Sequence, residues 1–190
     1  MSLESSPNSS DRVLVTGATS YLGSQLVGRL LDQQRQVHVV VRPTSDRRRL
    51  GPAADNLTIH EHDGSTESLM GILESSRPDV VCHLATQYLR DHAPDQVTSL
   101  IGANILFGTQ LLEAMQQADT RRIISPATFF QFFDSDDYRP VNLYAATKQA
   151  FEDVLAYYVD AHGFEATTLV LYDIYGPGDW RKKLMAAIAD

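Results

Sequence analysis

Tyr144 and Lys148 stand four residues apart in NLYAATKQAFE, Asn142 to Glu152. On a helix this spacing puts a phenol and an ammonium on one face, a turn apart. A free phenol gives up its proton only near pH ~10. A neighbouring cation favours the phenolate and brings that value toward neutrality, where the pair can exchange a proton with a hydroxyl or a carbonyl. Ala145 and Ala146 leave room for a flat molecule against the same face. The same two residue types also meet by chance on ordinary helices, so the elements around them decide what the pair does.

Those elements alternate. RVLVTG (12–17), VHVVV (37–41), NLTIHEHD (56–63), DVVCHLA (79–85), RRIISPAT (121–128) and EATTLVLYDIYG (165–176) read as strands. Between the first two, Leu22, Leu26, Val27, Leu30 and Leu31 form one helical stripe. STESLMGILESS reads as a helix with a Ser/Thr cap. Residues 95–118 and 142–163 read as two long helices, the second stopped by Gly163. Strand and helix in turn predict an α/β fold, a Rossmann-type doubly wound parallel sheet. The expected organisation is a disordered tail over 1–10, a dinucleotide-binding domain over 11–178 and the start of a further region over 179–190.

VLVTGATSYLGSQL places Gly17 and Gly23 between the first strand and the first helix. A tight turn there needs a residue without Cβ, and the following helix start aims free N–H groups at a pyrophosphate. Ser20 stands where a middle glycine is usual, and its hydroxyl is a possible phosphate donor. Thr19, Tyr21 and Leu22 complete the turn. At the end of the second strand a carboxylate would accept from the ribose hydroxyls of NAD. Here Arg42 occupies that place, followed by Arg47, Arg48 and Arg49. A guanidinium grips a 2′-phosphate, which predicts NADP(H) ahead of NAD(H).

The chain has 190 residues, 43% hydrophobic and 21% charged, with a net charge of −8. That length suffices for one substantial core. The acidic balance argues against nucleic acid and anionic membrane as partners. No apolar run reaches membrane-spanning length. The single cysteine, Cys82, excludes an internal disulfide and a zinc-type cysteine cluster, so no metal is expected, and a cytoplasmic location is.

In their order and spacing, VTGATSYLG, His62–Asp63, HLAT (83–86), NILFGTQLLEA (104–114), YAATK and LYDIYGPGD resemble the extended short-chain dehydrogenase/reductases, the NAD(P)-dependent epimerase/dehydratase family. The resemblance covers nearly the whole chain from Arg12. It implies that Tyr144 exchanges a proton with a sugar hydroxyl or carbonyl while hydride moves to or from the nicotinamide, and that Lys148 also bonds the nicotinamide ribose. It implies that Asp63, beside Gly64, meets adenine; that Leu84, Ala85 and Thr86 line the cofactor; and that Asn104 supports the site. A third hydroxyl usually stands five places before a glycine that ends the fifth strand. Pro126 falls there and Gln131 replaces the glycine, so Thr128 or Ser125 must serve, with Thr128 preferred.

The family's dehydratases carry an acidic pair directly after that threonine, whereas Phe129 and Phe130 follow here. The surrounding motifs are most like the 4-ketoreductases of the CDP-abequose synthase type. This implies an NADPH-dependent reductase of a nucleotide-diphosphate 4-keto-6-deoxyhexose; the alternatives are an NAD-retaining 4-epimerase and a non-catalytic cofactor-binding module. Family members run on past YGPGD into a second small domain, so this chain is expected to be the N-terminal part of a longer protein, poorly active alone. Arg181, Lys182 and Lys183 stand where a substrate diphosphate would begin to be met. A homodimer through helices 95–118 and 142–163 is a further implication of the resemblance.

Overall fold

The computed structural model describes residues 12–181. The expected tail over 1–10, with Lys182 and Lys183, lies outside the described residues. Six strands form one parallel sheet in the order β3-β2-β1-β4-β5-β6. They are β1 Arg12–Thr16, β2 Gln36–Val41, β3 Thr58–Glu61, β4 Val80–His83, β5 Arg122–Thr128 and β6 Glu165–Leu171. The doubly wound fold read from the sequence is the observed one. Chain order reverses between β1 and β4, and in open parallel sheets such a reversal opens a crevice beyond the carboxyl ends of the strands.

The helices are α1 Tyr21–Asp32, α2 Thr66–Ser76, α3 Val97–Ile101, α4 Phe107–Gln117 and α5 Leu143–His162. Each face of the sheet has its own core. Leu14, Val40, Val81 and Ile123 point to α2, α4 and α5, where they meet Leu69, Leu73, Leu111, Leu112, Met115 and Phe151. Val13, Val15, Val37, Val39, Val41 and Cys82 point the other way, toward Val27 of α1 and Leu50. Continuous apolar runs follow from this, because a strand covered on both sides has no polar face to present. The edge strand β6 differs: Leu169 and Val170 are each 47% exposed.

One expectation about elements needs correction. The predicted helix over 95–118 is not one α-helix, because a π turn over Gly102–Leu106 separates α3 from α4. A π turn widens the helix by one residue and is frequent at functional sites. The basic segment after β2 forms 3-10 turns over Arg47–Asn56, broken by a kink at Gly51, capped by Asp46 and anchored by buried Leu50. Gly163 ends α5 as expected, with φ 67°.

Candidate active site

At the carboxyl end of β1 the backbone turns at Gly17, with φ 70°. A Cβ there would lie 2.6 Å from Ala85 N and 2.6 Å from Leu84 C, so the position is closed to side chains twice over, by conformation and by space. At Gly23 a Cβ would come within 2.2 Å of Gly17 O, so both glycines make this turn close on itself. Ser20 is the N-cap of α1: its Oγ accepts from Gly23 N at 3.0 Å. The hydroxyl oxygen is therefore engaged by the helix, which leaves its hydrogen to donate outward. Thr19 and Leu22 are half-buried and Tyr21 is buried.

The turn is locked to β4 by a residue the sequence did not single out. Thr16 pairs with His83 across β1 and β4, and its Oγ1 lies 2.9 Å from His83 Nδ1 while accepting from Ala85 N at 3.2 Å. Which of the two atoms donates follows the tautomer of His83, since the hydroxyl can accept a second hydrogen bond or donate its own proton. Burial, with a smaller push from the nearby Lys148 charge, brings the His83 pKa down to about 3, so the ring is neutral. Leu84 and Ala85 are half-buried behind this lock and Thr86 is exposed.

Asn104 lies in the π turn, buried and with its hydrogen bonds complete. Its Oδ1 accepts from Gln87 N at 2.7 Å and from Thr86 Oγ1 at 3.0 Å. Its Nδ2 donates to Gln87 O at 3.0 Å and Thr147 Oγ1 at 2.9 Å. One amide thus ties the loop after β4 to α5, between Tyr144 and Lys148. This is a physical basis for the supporting role expected of Asn104.

Tyr144 and Lys148 are both buried, on the face of α5 turned into the protein. Burial brings the Lys148 pKa down to about 8, opposed by the Glu152 charge one turn on. No hydrogen bond joins the Lys148 ammonium to any described residue; Nζ lies 6.0 Å from the Phe151 ring centre. Burial holds the Tyr144 phenol above its ordinary value, and the Thr86 hydroxyl draws it back. In the cofactor-free protein, then, Lys148 is not what lowers Tyr144. That part of the expectation depends on a second positive charge arriving with an oxidised nicotinamide.

The two hydroxyl candidates are both buried on β5. Ser125 alternates with Ile123 and so shares the sheet face that α5 covers. Thr128 ends the strand and caps the 3-10 turn Phe129–Gln131, accepting from Phe130 N at 3.3 Å. Among the described residues neither hydroxyl is hydrogen-bonded to Tyr144. Aromatic rings line this side: Tyr88 meets Tyr144 edge-on at 5.0 Å, and Phe129 stacks on Tyr172 at 4.9 Å.

Toward the adenosine end, Asp63 is exposed after β3, beside Gly64, and its Oδ1 accepts from Ser65 N at 2.8 Å. Arg42 directly follows β2, exposed and with its guanidinium free of any bond to a described residue. The arginines behind it are occupied: Arg47 pairs with Glu61, and Arg48 and Arg49 pair with Asp46. Arg181 is likewise committed, to Asp179 at 2.7 Å and to Ile174 O at 2.9 Å, which removes it as a ready diphosphate ligand.

A parallel sheet with its order reversal at β1 and β4, a glycine-closed turn into a helix start, and a buried Tyr–Lys pair beside it define a dinucleotide-binding Rossmann-type protein. The family model for the NAD dependent epimerase/dehydratase family matches residues 13–190. The chain belongs to that family. It is 29% identical over 181 residues to a CDP-abequose synthase of Yersinia pseudotuberculosis, covering 94% of this chain and 61% of the relative. To a UDP-glucose 4-epimerase of Mycolicibacterium smegmatis it is 28% identical, covering 87% of this chain and 57% of the relative. The structure of Thermus thermophilus UDP-glucose 4-epimerase in complex with NAD superposes with a TM-score of 0.77 at 27% identity, covering 88% of this chain and 57% of that one. The chain thus spans about 57 to 61% of the length of these relatives.

Proposed function

We propose that this chain is the cofactor-binding and proton-transfer portion of an NADPH-dependent reductase acting on a nucleotide-activated 4-keto-6-deoxyhexose. The observation that carries the reading is Lys148: an ammonium inside the protein, one turn from Tyr144, with no hydrogen-bond partner among the described residues. Its Nζ is not sealed from solvent, so ribose hydroxyls of a dinucleotide in the crevice would reach and pair it. Gly17, Ser20 and Gly23 would receive the pyrophosphate at the start of α1, and Asp63 the adenine.

The dinucleotide, when bound, supplies the hydride. This chain's own residues orient and protonate: Tyr144 gives its phenolic proton to the C4 oxygen as hydride reaches the carbon, and Lys148 steadies the phenolate left behind. Thr128 or Ser125 donates to the same oxygen. Support for reduction over dehydration comes from Phe129 and Phe130, which leave no acid or base beside Thr128. Support for NADP(H) comes from the free guanidinium of Arg42. Exposed Val97, Ile101 and Leu106, with Tyr157 and Val159 on α5, are the apolar surface through which a homodimer would form.

A second reading has its own support. The Thermus thermophilus structure described above, which holds NAD, is a UDP-glucose 4-epimerase, and an NAD-retaining 4-epimerase would use the same Tyr144 and Lys148. The experiment that separates them mixes the full-length protein with CDP- and dTDP-linked 4-keto-6-deoxyglucose and follows NADPH and NADH absorbance. Stoichiometric oxidation of NADPH is expected. Interconversion of 4-hydroxyl epimers with no net oxidation would replace the reductase by the epimerase. Tyr144→Phe is expected to lower turnover by about 10² to 10⁴-fold while leaving cofactor affinity in place; unaltered turnover would remove Tyr144 from its role.

A further inference from the structure

Gln131 is fully buried at the position where the family pattern has glycine. Its Oε1 accepts from Thr128 N at 2.9 Å. Its Nε2 donates to Glu152 Oε2 at 2.9 Å and to Gln149 Oε1 at 3.0 Å. The orientation of this amide is chemically determined at both ends, because a backbone N–H only donates and an ionised carboxylate only accepts. The end of β5 is thereby fastened to α5 over the turn that follows Lys148.

We infer that Gln131 is a positioning residue of the candidate site: one buried amide fixes the backbone of Thr128 on one side and the Glu152 carboxylate, one helical turn beyond Lys148, on the other. The inference rests on the reading of Tyr144 and Lys148 as a proton-transfer pair. Glu152 follows Lys148 by four residues, so the two share a helix face. Its negative charge favours the ammonium and works against the burial that weakens it. The other titratable groups near Lys148 are Tyr144 on its own helix and His83 on β4, and both are neutral in the resting protein. Glu152 is therefore the anion acting on the lysine among the described groups. A carboxylate held by Gln131 keeps that influence constant; a released one swings toward water. A glycine at 131 would leave both the Thr128 N–H and the Glu152 oxygen without this partner.

Gln131→Met tests the clamp: it keeps the bulk of the side chain and removes both the acceptor for Thr128 N–H and the donor to Glu152. Glu152→Gln removes the charge itself, and the double variant asks whether Gln131 acts through it. The pH dependence of Lys148 acetylation, followed by peptide mass spectrometry, gives the titration midpoint of the amine without any cofactor or substrate. The midpoint is expected to fall by about half a unit in Glu152→Gln and in the same direction in Gln131→Met, with the double variant no lower than Glu152→Gln alone. Loosened packing would hydrate the lysine and raise the midpoint, so a fall in Gln131→Met excludes a merely structural role. An unmoved or raised midpoint in Gln131→Met, or a further fall in the double variant, in proteins that retain a cooperative melt, would overturn the inference. Should Gln131→Met fail to fold, Gln131→Leu gives the same reading. A protein with no reductase activity would still give these shifts, so failure of the proposed reaction and failure of the clamp are separately visible.

Discussion

Where β1 and β4 end, the two strands are fastened to each other and little space is left: Thr16 bonds His83 and Ala85, and Gly17 lies against the Leu84–Ala85 backbone. Where β5 and β6 end, the walls are aromatic and open. Tyr172 is 73% exposed and Tyr175 58%. On the proposed function, the first half would receive a dinucleotide of one shape, and it is built to close tolerance from backbone and small side chains. The other half would meet the substrate, and it presents rings and hydroxyls on short, accessible segments. Rigidity belongs to the first half and adaptability to the second.

The sharpest way to break the contrast is Gly17→Val. Its Cβ would overlap the Leu84–Ala85 backbone in a conformation that valine disfavours, and a loss of about 3 kcal/mol or more is expected in urea unfolding. A loss under 1 kcal/mol would mean that the turn yields and the tight half is not tight.

Acid acts on the same half. His38, His60, His62 and His83 all lie on β2, β3 and β4 or directly after them, and burial is the first cause of the lowered pKa of each. The folded values lie below the unfolded one, so the unfolded chain binds more protons in between. The stability these rings contribute is complete above the ordinary imidazole value of 6.5 and is lost as pH falls, for His83 toward about 3. From pH 7 to 5 His83 alone is expected to lower unfolding stability on the order of 2 kcal/mol. His38 and His60, 3.0 Å apart, add to it with the same sign. A flat profile over this range in chemical denaturation would contradict their buried, neutral state.

The smallest effect is expected on the open half. Leu169→Thr on β6 should change stability by less than about 0.5 kcal/mol, because half the leucine is already in water. A large loss in the same urea assay would reveal a covered surface there and remove the contrast.

Much of the first half was legible in the sequence. Apolar runs announced strands covered on both faces, and the glycine spacing announced the turn, because these are local patterns with local causes. What escaped was long-range. Asn104 was reached through the resemblance, but its partners Gln87 and Thr147 were not, since neither is near it in the chain, and nothing in GANIL signals a π turn. Thr16 and His83 read as ordinary strand residues until β1 and β4 are side by side. Gln131 read as a lost glycine, since its three partners come from β5 and α5. Arg47, Arg48 and Arg49 stood behind Arg42 as weaker candidates, and Glu61 and Asp46 claim them.

The central claim is that a phosphorylated dinucleotide occupies the β1–β4 crevice with Arg42 at its 2′-phosphate. A fluorescence titration of NADPH and NADH into the folded chain and its Arg42→Asp variant tests this most directly. The account predicts saturable NADPH binding by the wild type, weakened about tenfold or more in the variant, with the preference turned toward NADH. Failure of the cooperatively folded wild-type chain to bind either nucleotide would contradict the account, and an unchanged NADPH preference in Arg42→Asp would remove Arg42 from it.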